Sequence, residues 1–185
     1  MNSLDEWREL CLKCRRCPLH KGARNVVFGE GDPHARIMFI GEGPGGEEDR
    51  LGRPFVGAAG KLLDRIFSAA GWRREELYIA NIVKCRPPGN RNPLQEEIET
   101  CYPLLVKQIE LIDPPIIVTL GAVAAKVLLD SRDFYITRER GKWRQLGSRM
   151  LMPTFHPAAL LRDPSKKRPV WEDIKQVMAL YKEYA

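Results

Sequence analysis

An α/β fold of three layers, with helices on both faces of a short, mostly parallel central sheet, is what this chain of 185 residues predicts. Three observations lead there. Short apolar runs, Ile37-Met38-Phe39-Ile40 and Ile116 to Leu120 among them, alternate with helical patterns. The first of these runs passes through a glycine-rich turn, GEGPGG, into a segment with Leu62, Leu63, Ile66, Phe67 and Ala70 at helical spacing. Finally, Gly41 to Gly43, Asn81 and His156 all fall at the carboxyl ends of expected strands, where sheets of this kind bind ligands.

The elements follow in order. Leu4 to Leu12 predicts a helix and Arg36 to Ile40 a strand. Ala58 to Ala70 predicts a helix stopped by Gly71. Leu77 to Val83 reads as a strand, followed by a loop, Lys84 to Asn92, rich in proline and glycine. Pro93 reads as the first residue of a helix capped by Asn92, which runs towards Ile112 and is disturbed at Pro103. Ile116 to Leu120 is a buried-type strand and Ala122 to Leu129 a short helix. Met150 to Phe155 is the last strand, and His156-Pro157 opens a helical turn. Val170 to Tyr184 is an amphipathic helix. No internal repeat interrupts this order, and the length fits one domain over residues 1–185.

Hydrophobic content of 44% and charged content of 29% are globular values. The first thirty residues carry no leader-like apolar run, and the stretch near Ile116 to Ala125 is too short to span a bilayer. The expectation is a cytoplasmic protein with no membrane partner, acting at the nucleoid. Net charge is +6, a modest basic excess. Lysines and arginines cluster at 13–24, at 84–91, at 138–149 and at 162–168. Any one cluster reads as solvated surface, but four beside the strand-end motifs point to nucleic acid.

The glycine-rich turn would generically cradle phosphate. Pro44 removes an N–H that a phosphate would want, and Glu42, Glu47, Glu48 and Asp49 would repel it. Acidic groups with one aromatic, Phe55, suit a flat, neutral, polar ligand such as a nucleobase.

There are five cysteines. Cys14 and Cys17 form a C-x2-C pair, while Cys85 and Cys101 are widely spaced. A reducing compartment disfavours disulfides, so metal is the better account, and thiolates suit either zinc or an iron–sulfur cluster. Cys11 lies inside the predicted first helix and is the spare.

Together these motifs resemble the family 4 uracil-DNA glycosylases, the iron–sulfur class. The resemblance rests on C-x2-C at Cys14 and Cys17, VVFGEG at Val26 to Gly31, GEGPG and GRPFVG within Gly41 to Gly57, NIVKCRPPGNRNP at Asn81 to Pro93, and FHPAALLR at Phe155 to Arg162. It implies the uracil-DNA glycosylase fold, a [4Fe-4S] cluster on Cys14, Cys17, Cys85 and Cys101, and hydrolysis of uracil from single- or double-stranded DNA to leave an abasic site. A monomer is the expected state, and a sliding clamp is a partner that some relatives have.

The residue types suit that chemistry. The amide of Asn81 can accept from uracil N3–H and donate to O4, whereas cytosine presents the reverse pattern. Phe55 can stack on the base. His156 can donate to O2 as negative charge develops there. Gly41, Glu42 and Gly43 line the pocket by backbone. Many superfamily relatives handle the attacking water with a carboxylate or amide where Gly43 stands; here Glu48 is the first expectation for that role and Asn90 the second. Leu160, with Leu161 next, is the expected wedge that fills the gap left by an extruded base, and Arg162 meets a phosphate. The competing reading is a non-catalytic iron–sulfur module for DNA binding or electron transfer. It would need the cysteines and the basic clusters but not Asn81, Phe55 and His156 together.

Overall fold

The computed structural model describes residues 3–184. Helix α1 spans Leu4–Cys11, with the Ser3 hydroxyl capping the Glu6 N–H at 3.1 Å. Strand β1 is the short Glu30–Gly31, and β2 is Ile37–Gly41. Helices α2, Gly46–Leu51, and α3, Ala58–Ala69, come next. Strand β3, Tyr78–Asn81, leads through a long loop to α4, Gln95–Ile112. Then come β4, Ile116–Leu120, α5, Ala122–Leu129, and α6, Ile136–Glu139. Strand β5 is Arg144–Leu146 and β6 is Arg149–Thr154, followed by α7, Pro157–Arg162, and α8, Lys167–Tyr181.

The sheet order is β1-β3-β2-β4-β6-β5. The inner four strands are mutually parallel, and the short edge strands β1 and β5 run antiparallel. Alternation along β2 sorts the two cores. Met38 and Ile40 pack with Leu105, Ile109 and Leu128 on one face, while Ile37 and Phe39 pack with Leu63, Phe67 and Val177 on the other. The helices on the two faces complete the three expected layers. Each fully buried Ile or Phe contributes about 1.5–3 kcal/mol, so this double core is the main stabilising term.

Three expectations change. Helix α4 starts at Gln95, not Pro93, and Asn92 is not its cap. The Glu97 carboxylate instead accepts the Leu94 N–H at 2.7 Å and pairs with Arg91, closing the first turn. Helix α4 also runs unbroken through Pro103, which sits on its exposed face, where the loss of one helical hydrogen bond costs least. The edge strands β1 and β5 and the short helices α2 and α6 carry too few residues for periodicity to mark them. Beyond β3, pairing continues without a strand: Ile82 and Val83 N–H donate to the Gly41 and Glu42 carbonyls at 2.9 and 3.1 Å. The loops after β2 and β3 are thus laced together at the carboxyl edge of the sheet.

Candidate active site

Neighbouring parallel strands place Gly41 directly opposite Asn81. A Cβ at Gly41 would lie 2.5 Å from Phe55 Cζ and 2.6 Å from Asn81 Oδ1. Only glycine leaves room for these two side chains to converge. Asn81 is 1% exposed, and its Oδ1 has no hydrogen-bond partner among the described residues. A buried amide oxygen left unpaired costs about 1–3 kcal/mol, so it marks a place where a donor is missing.

Phe55 is buried beside it with φ +48, a left-handed conformation that costs an aromatic residue energy. Its surroundings over-determine that conformation. The Arg74 guanidinium donates to the carbonyl oxygens of Pro54 and Phe55, and it also pairs with Glu30 at 3.0 Å and Asp64 at 2.8 Å. On the other side Gly60 lets the chain close up, since a Cβ there would lie 1.9 Å from the Phe55 carbonyl oxygen. The Phe55 ring faces that of His156, with centroids 5.4 Å apart and planes inclined by 32°. Sequence reading missed Arg74, because nothing in its local pattern sets it apart from surface arginines.

His156 caps α7. Its Nδ1 accepts the Ala158 N–H at 3.0 Å, and a backbone N–H can only donate. The neutral ring therefore carries its proton on Nε2. Burial, followed by the charge of Arg162, lowers the pKa to about 4, with the Glu48 carboxylate pulling weakly the other way. His156 is thus a neutral donor with a fixed tautomer at ordinary pH.

Glu48 lies in α2 and holds the site together. Its Oε1 accepts the Gly45 N–H at 3.1 Å, and Oε2 accepts those of Val56 at 2.9 Å and Gly57 at 2.7 Å. A carboxylate with about four acceptor sites has one left for another donor. Asn90 sits at φ +58 in an exposed turn, its Oδ1 bonded by Arg86 at 2.7 Å, and Arg86 in turn lies over Gly46. Glu42 gives its carbonyl to Val83, and burial raises the pKa of its carboxyl. A Cβ at Gly43 would meet Val83 Cγ2 at 2.7 Å, so no side chain fits there without a shift.

The wedge expectation changes. Leu160 is 1% exposed and belongs to the core beside α3, whereas Leu161 is 46% exposed. On the short α7 the first faces inward and the second outward, so Leu160 is packed in the core and Leu161 is the exposed one of the two. Arg162 is exposed next to it.

Cys14, Cys17, Cys85 and Cys101 line one small cavity, with Leu19, His20 and Lys84 around them. Among the described residues, no three His, Cys, Asp or Glu side chains are set to chelate a single metal ion. The possible donors around the cavity are four thiols and the His20 imidazole, and the Lys84 N–H donates to Cys101 Sγ at 3.2 Å. Burial pushes the thiols of Cys85 and Cys101 up to about 12 and about 11. Thiols so buried ionise only against a strong positive charge, and bound iron or zinc supplies that. The residues therefore fit a thiolate-bound metal group. Cys11 is also buried, but in α1 outside the cavity lining.

An amide at a strand end, a ring held in a left-handed conformation and a neutral histidine at a helix start thus gather at the carboxyl edge of the sheet in an α/β/α fold. The family model of the Uracil DNA glycosylase superfamily matches residues 28–175, and the chain belongs to that superfamily. Within it the chain falls among the type-4 proteins. It is 49% identical over 176 residues to the type-4 uracil-DNA glycosylase of Thermotoga maritima, covering 92% of this chain and 91% of that one. Against the type-4 uracil-DNA glycosylase of Archaeoglobus fulgidus it is 43% identical over 184 residues, covering 96% and 92%. The type-5 uracil-DNA glycosylase of Thermus thermophilus is 30% identical over 179 residues, with 77% and 81% covered. Pedobacter heparinus SMUG2 shares the fold, with a TM-score of 0.51 at 14% identity over 82% of this chain and 76% of that one.

Proposed function

We propose that the protein is a uracil-DNA glycosylase, a DNA N-glycosylase that hydrolyses the bond between uracil and deoxyribose in DNA and leaves an abasic site. The observation that carries this reading is the unpaired, buried Oδ1 of Asn81, set beside Phe55, whose ring in turn faces His156. Uracil N3–H is the donor it lacks, and the amide NH2 then meets O4.

The chemistry follows from these groups. The base is drawn out of the stack and lies on Phe55, with Leu161 entering the space it leaves. As the C1′–N1 bond breaks, the electron pair moves onto uracil and charge collects at O2. His156 Nε2–H donates to that oxygen while remaining neutral, and buried surroundings strengthen the interaction. The free acceptor site on Glu48 orients a water, whose oxygen bonds to C1′ while its proton ends on the departing base. Glu48 is already oriented by three backbone N–H groups, so it reaches the reaction pre-aligned. Asn90 stands at the lip, where Arg86 holds it.

A [4Fe-4S] cluster on Cys14, Cys17, Cys85 and Cys101 would supply iron–thiolate bonds that tie the N-terminal segment to the loop after β3. Hydrolysis moves no net electrons, so the residues around Asn81 carry the cleavage. The reading is tested with matched oligonucleotides that carry one uracil or one cytosine. Alkali-labile breaks at uracil alone are expected. Binding without any break supports the non-catalytic alternative instead.

A further inference from the structure

The surface beside the cysteines has a feature that base recognition does not explain. Between Glu9 and Glu30 the chain has no acidic residue, yet it carries Lys13, Arg15, Arg16, Lys21 and Arg24. All five are exposed, and none has an ion-pair partner among the described residues. Several arginines elsewhere are paired, such as Arg50 with Glu47, Arg53 and Arg74 with Glu30, Arg91 with Glu97 and Arg140 with Asp173. Others, Arg132, Arg138 and Arg162 among them, have no ion-pair partner among the described residues but are not gathered with four other such cations in one acid-free run. Five cations without an ion-pair partner within a dozen residues repel one another.

Lys13, Arg15 and Arg24 also line an open groove, with His20, Asn25 and Cys85. Its position relative to the base site is fixed by buried contacts. The Asp49 carboxylate, 3% exposed, accepts the backbone N–H of Arg24 at 2.8 Å and of Asn25 at 3.3 Å. The Asn25 amide donates back to the Asp49 carbonyl at 2.7 Å. Asp49 follows Glu48 in α2, the helix that reaches Val56 and Gly57 beside Phe55. On the other wall, Cys85 is in the loop that begins after Asn81, and Val27 N–H donates to the Lys84 carbonyl at 2.7 Å. Both walls are therefore continuous with the elements that bear Asn81 and Glu48.

We infer that this groove is a second binding site, one that takes phosphates of the DNA backbone flanking the extruded nucleotide, with Lys13, Arg15 and Arg24 as the contacts. It rests on the reading that DNA is the substrate. Unpaired cations in a groove can release condensed counterions when phosphates enter, which gives affinity without sequence preference. The groove also gives the cysteine segment a role in binding, since Cys14 lies in its lining and a metal group on Cys14 and Cys17 would hold the basic run in one shape.

The test uses the metal-loaded protein and a duplex with a stable abasic-site analogue, so that no turnover interferes. Binding is followed by fluorescence anisotropy as salt is raised. The triple variant Lys13→Gln, Arg15→Gln, Arg24→Gln is compared with a variant of equal charge loss, Lys126→Gln, Arg132→Gln, Lys182→Gln. We expect the log–log salt slope of the groove variant to shrink by about 2–3, at about 0.9 per lost phosphate, with the control unchanged. An unchanged slope, or an equal fall in the control, overturns the inference. If the triple variant loses its visible absorbance, the single variants Arg15→Gln and Arg24→Gln are read instead, each expected to lose about 0.9 and each overturning the inference at zero loss. A wild type that neither binds with a salt slope nor excises uracil sinks the DNA reading itself. A steep wild-type slope untouched by the groove variants sinks only the groove.

Discussion

The guanidinium of Arg74 donates to the carbonyl oxygen of Phe55 at 2.9 Å, across nineteen residues of sequence. It is the outer half of a clamp whose inner half is Gly60, and together they hold an aromatic residue at φ +48. A left-handed phenylalanine is strained by about 1–3 kcal/mol, and a charged donor on its carbonyl returns about that much. Arg74→Met should therefore slow uracil excision by roughly ten- to a hundredfold, beyond any loss of stability. Single-turnover rates in a double-mutant cycle check this. In a Phe55→Ala background the rate penalty of Arg74→Met should vanish, because the clamp then has no ring to aim. An equal penalty in both backgrounds would mean that Arg74 only braces the fold.

His156 yields a pH prediction. Its folded pKa, about 4, lies below the ordinary value of 6.5. The unfolded chain thus takes up a proton on this ring at higher pH than the folded chain does. Stability contributed by the neutral ring is present above about 6.5 and falls as pH drops towards 4, by about 3 kcal/mol in all. Urea unfolding between pH 7 and pH 4 should show this, and His156→Asn should flatten that part of the curve. Excision, by contrast, should show no inflection near 6.5, because the ring is still neutral there. A rate that halves at pH 6.5 would mean that His156 titrates normally.

How far the sequence could be read follows from what each element depends on. Strand β4 and helix α5 match at both ends, because an unbroken apolar run and a following small-residue helix are local signals. The start of α4 differs from the expected one because Glu97, three residues inside the helix, makes the cap rather than Asn92 before it. Asn81, Phe55 and His156 were legible as candidates because each follows a strand or a glycine-rich turn. That Asn81 and His156 lie at one edge of the sheet was legible too, but the register that sets Gly41 against Asn81, and the room this leaves for Phe55, was not. Arg74 and Asp49 were invisible because their partners lie 19 and 25 residues away. Leu160 and Leu161 could not be told apart from sequence alone, as a six-residue helix has too few positions to define a face.

That last pair can now be separated. Leu160→Ala removes a core side chain and should cost about 2–5 kcal/mol of stability. Leu161→Ala should leave thermal unfolding nearly unchanged and slow excision from duplex DNA more than from single strands, where no stack needs filling. Thermal melts with parallel assays on both substrates decide it, and a duplex rate untouched by Leu161→Ala would remove it as the wedge.

Metal analysis addresses the cysteines. Protein purified without oxygen should be brown and contain iron and sulfide in equal amounts. Cys85→Ser should lose both. Cys11→Ser should retain them, though a hydroxyl buried at a site 1% exposed should cost about 1–3 kcal/mol. One zinc per chain without sulfide would replace the cluster with a single-ion site.

Asn81 allows the sharpest test. Its Oδ1 is already unpaired in the free protein, so that cost is present before substrate arrives and is relieved when N3–H enters. Binding gains most from a ligand that brings a donor to that point, and cytosine N3 brings an acceptor instead. Truncation to Ala leaves uracil N3–H and O4 without partners in a dry pocket, at about 1–3 kcal/mol each. Excision should slow by roughly two to four orders of magnitude. Asn81→Asp keeps the size but replaces the donor with a second acceptor, which opposes O4 and can accept from the cytosine amino group. Uracil cleavage should fall, and a trace of cytosine cleavage should emerge. Single-turnover cleavage of matched uracil and cytosine oligonucleotides by the three proteins is the measurement. A near wild-type rate for Asn81→Ala, with selectivity intact, would show that the orphaned oxygen is not where the base is read.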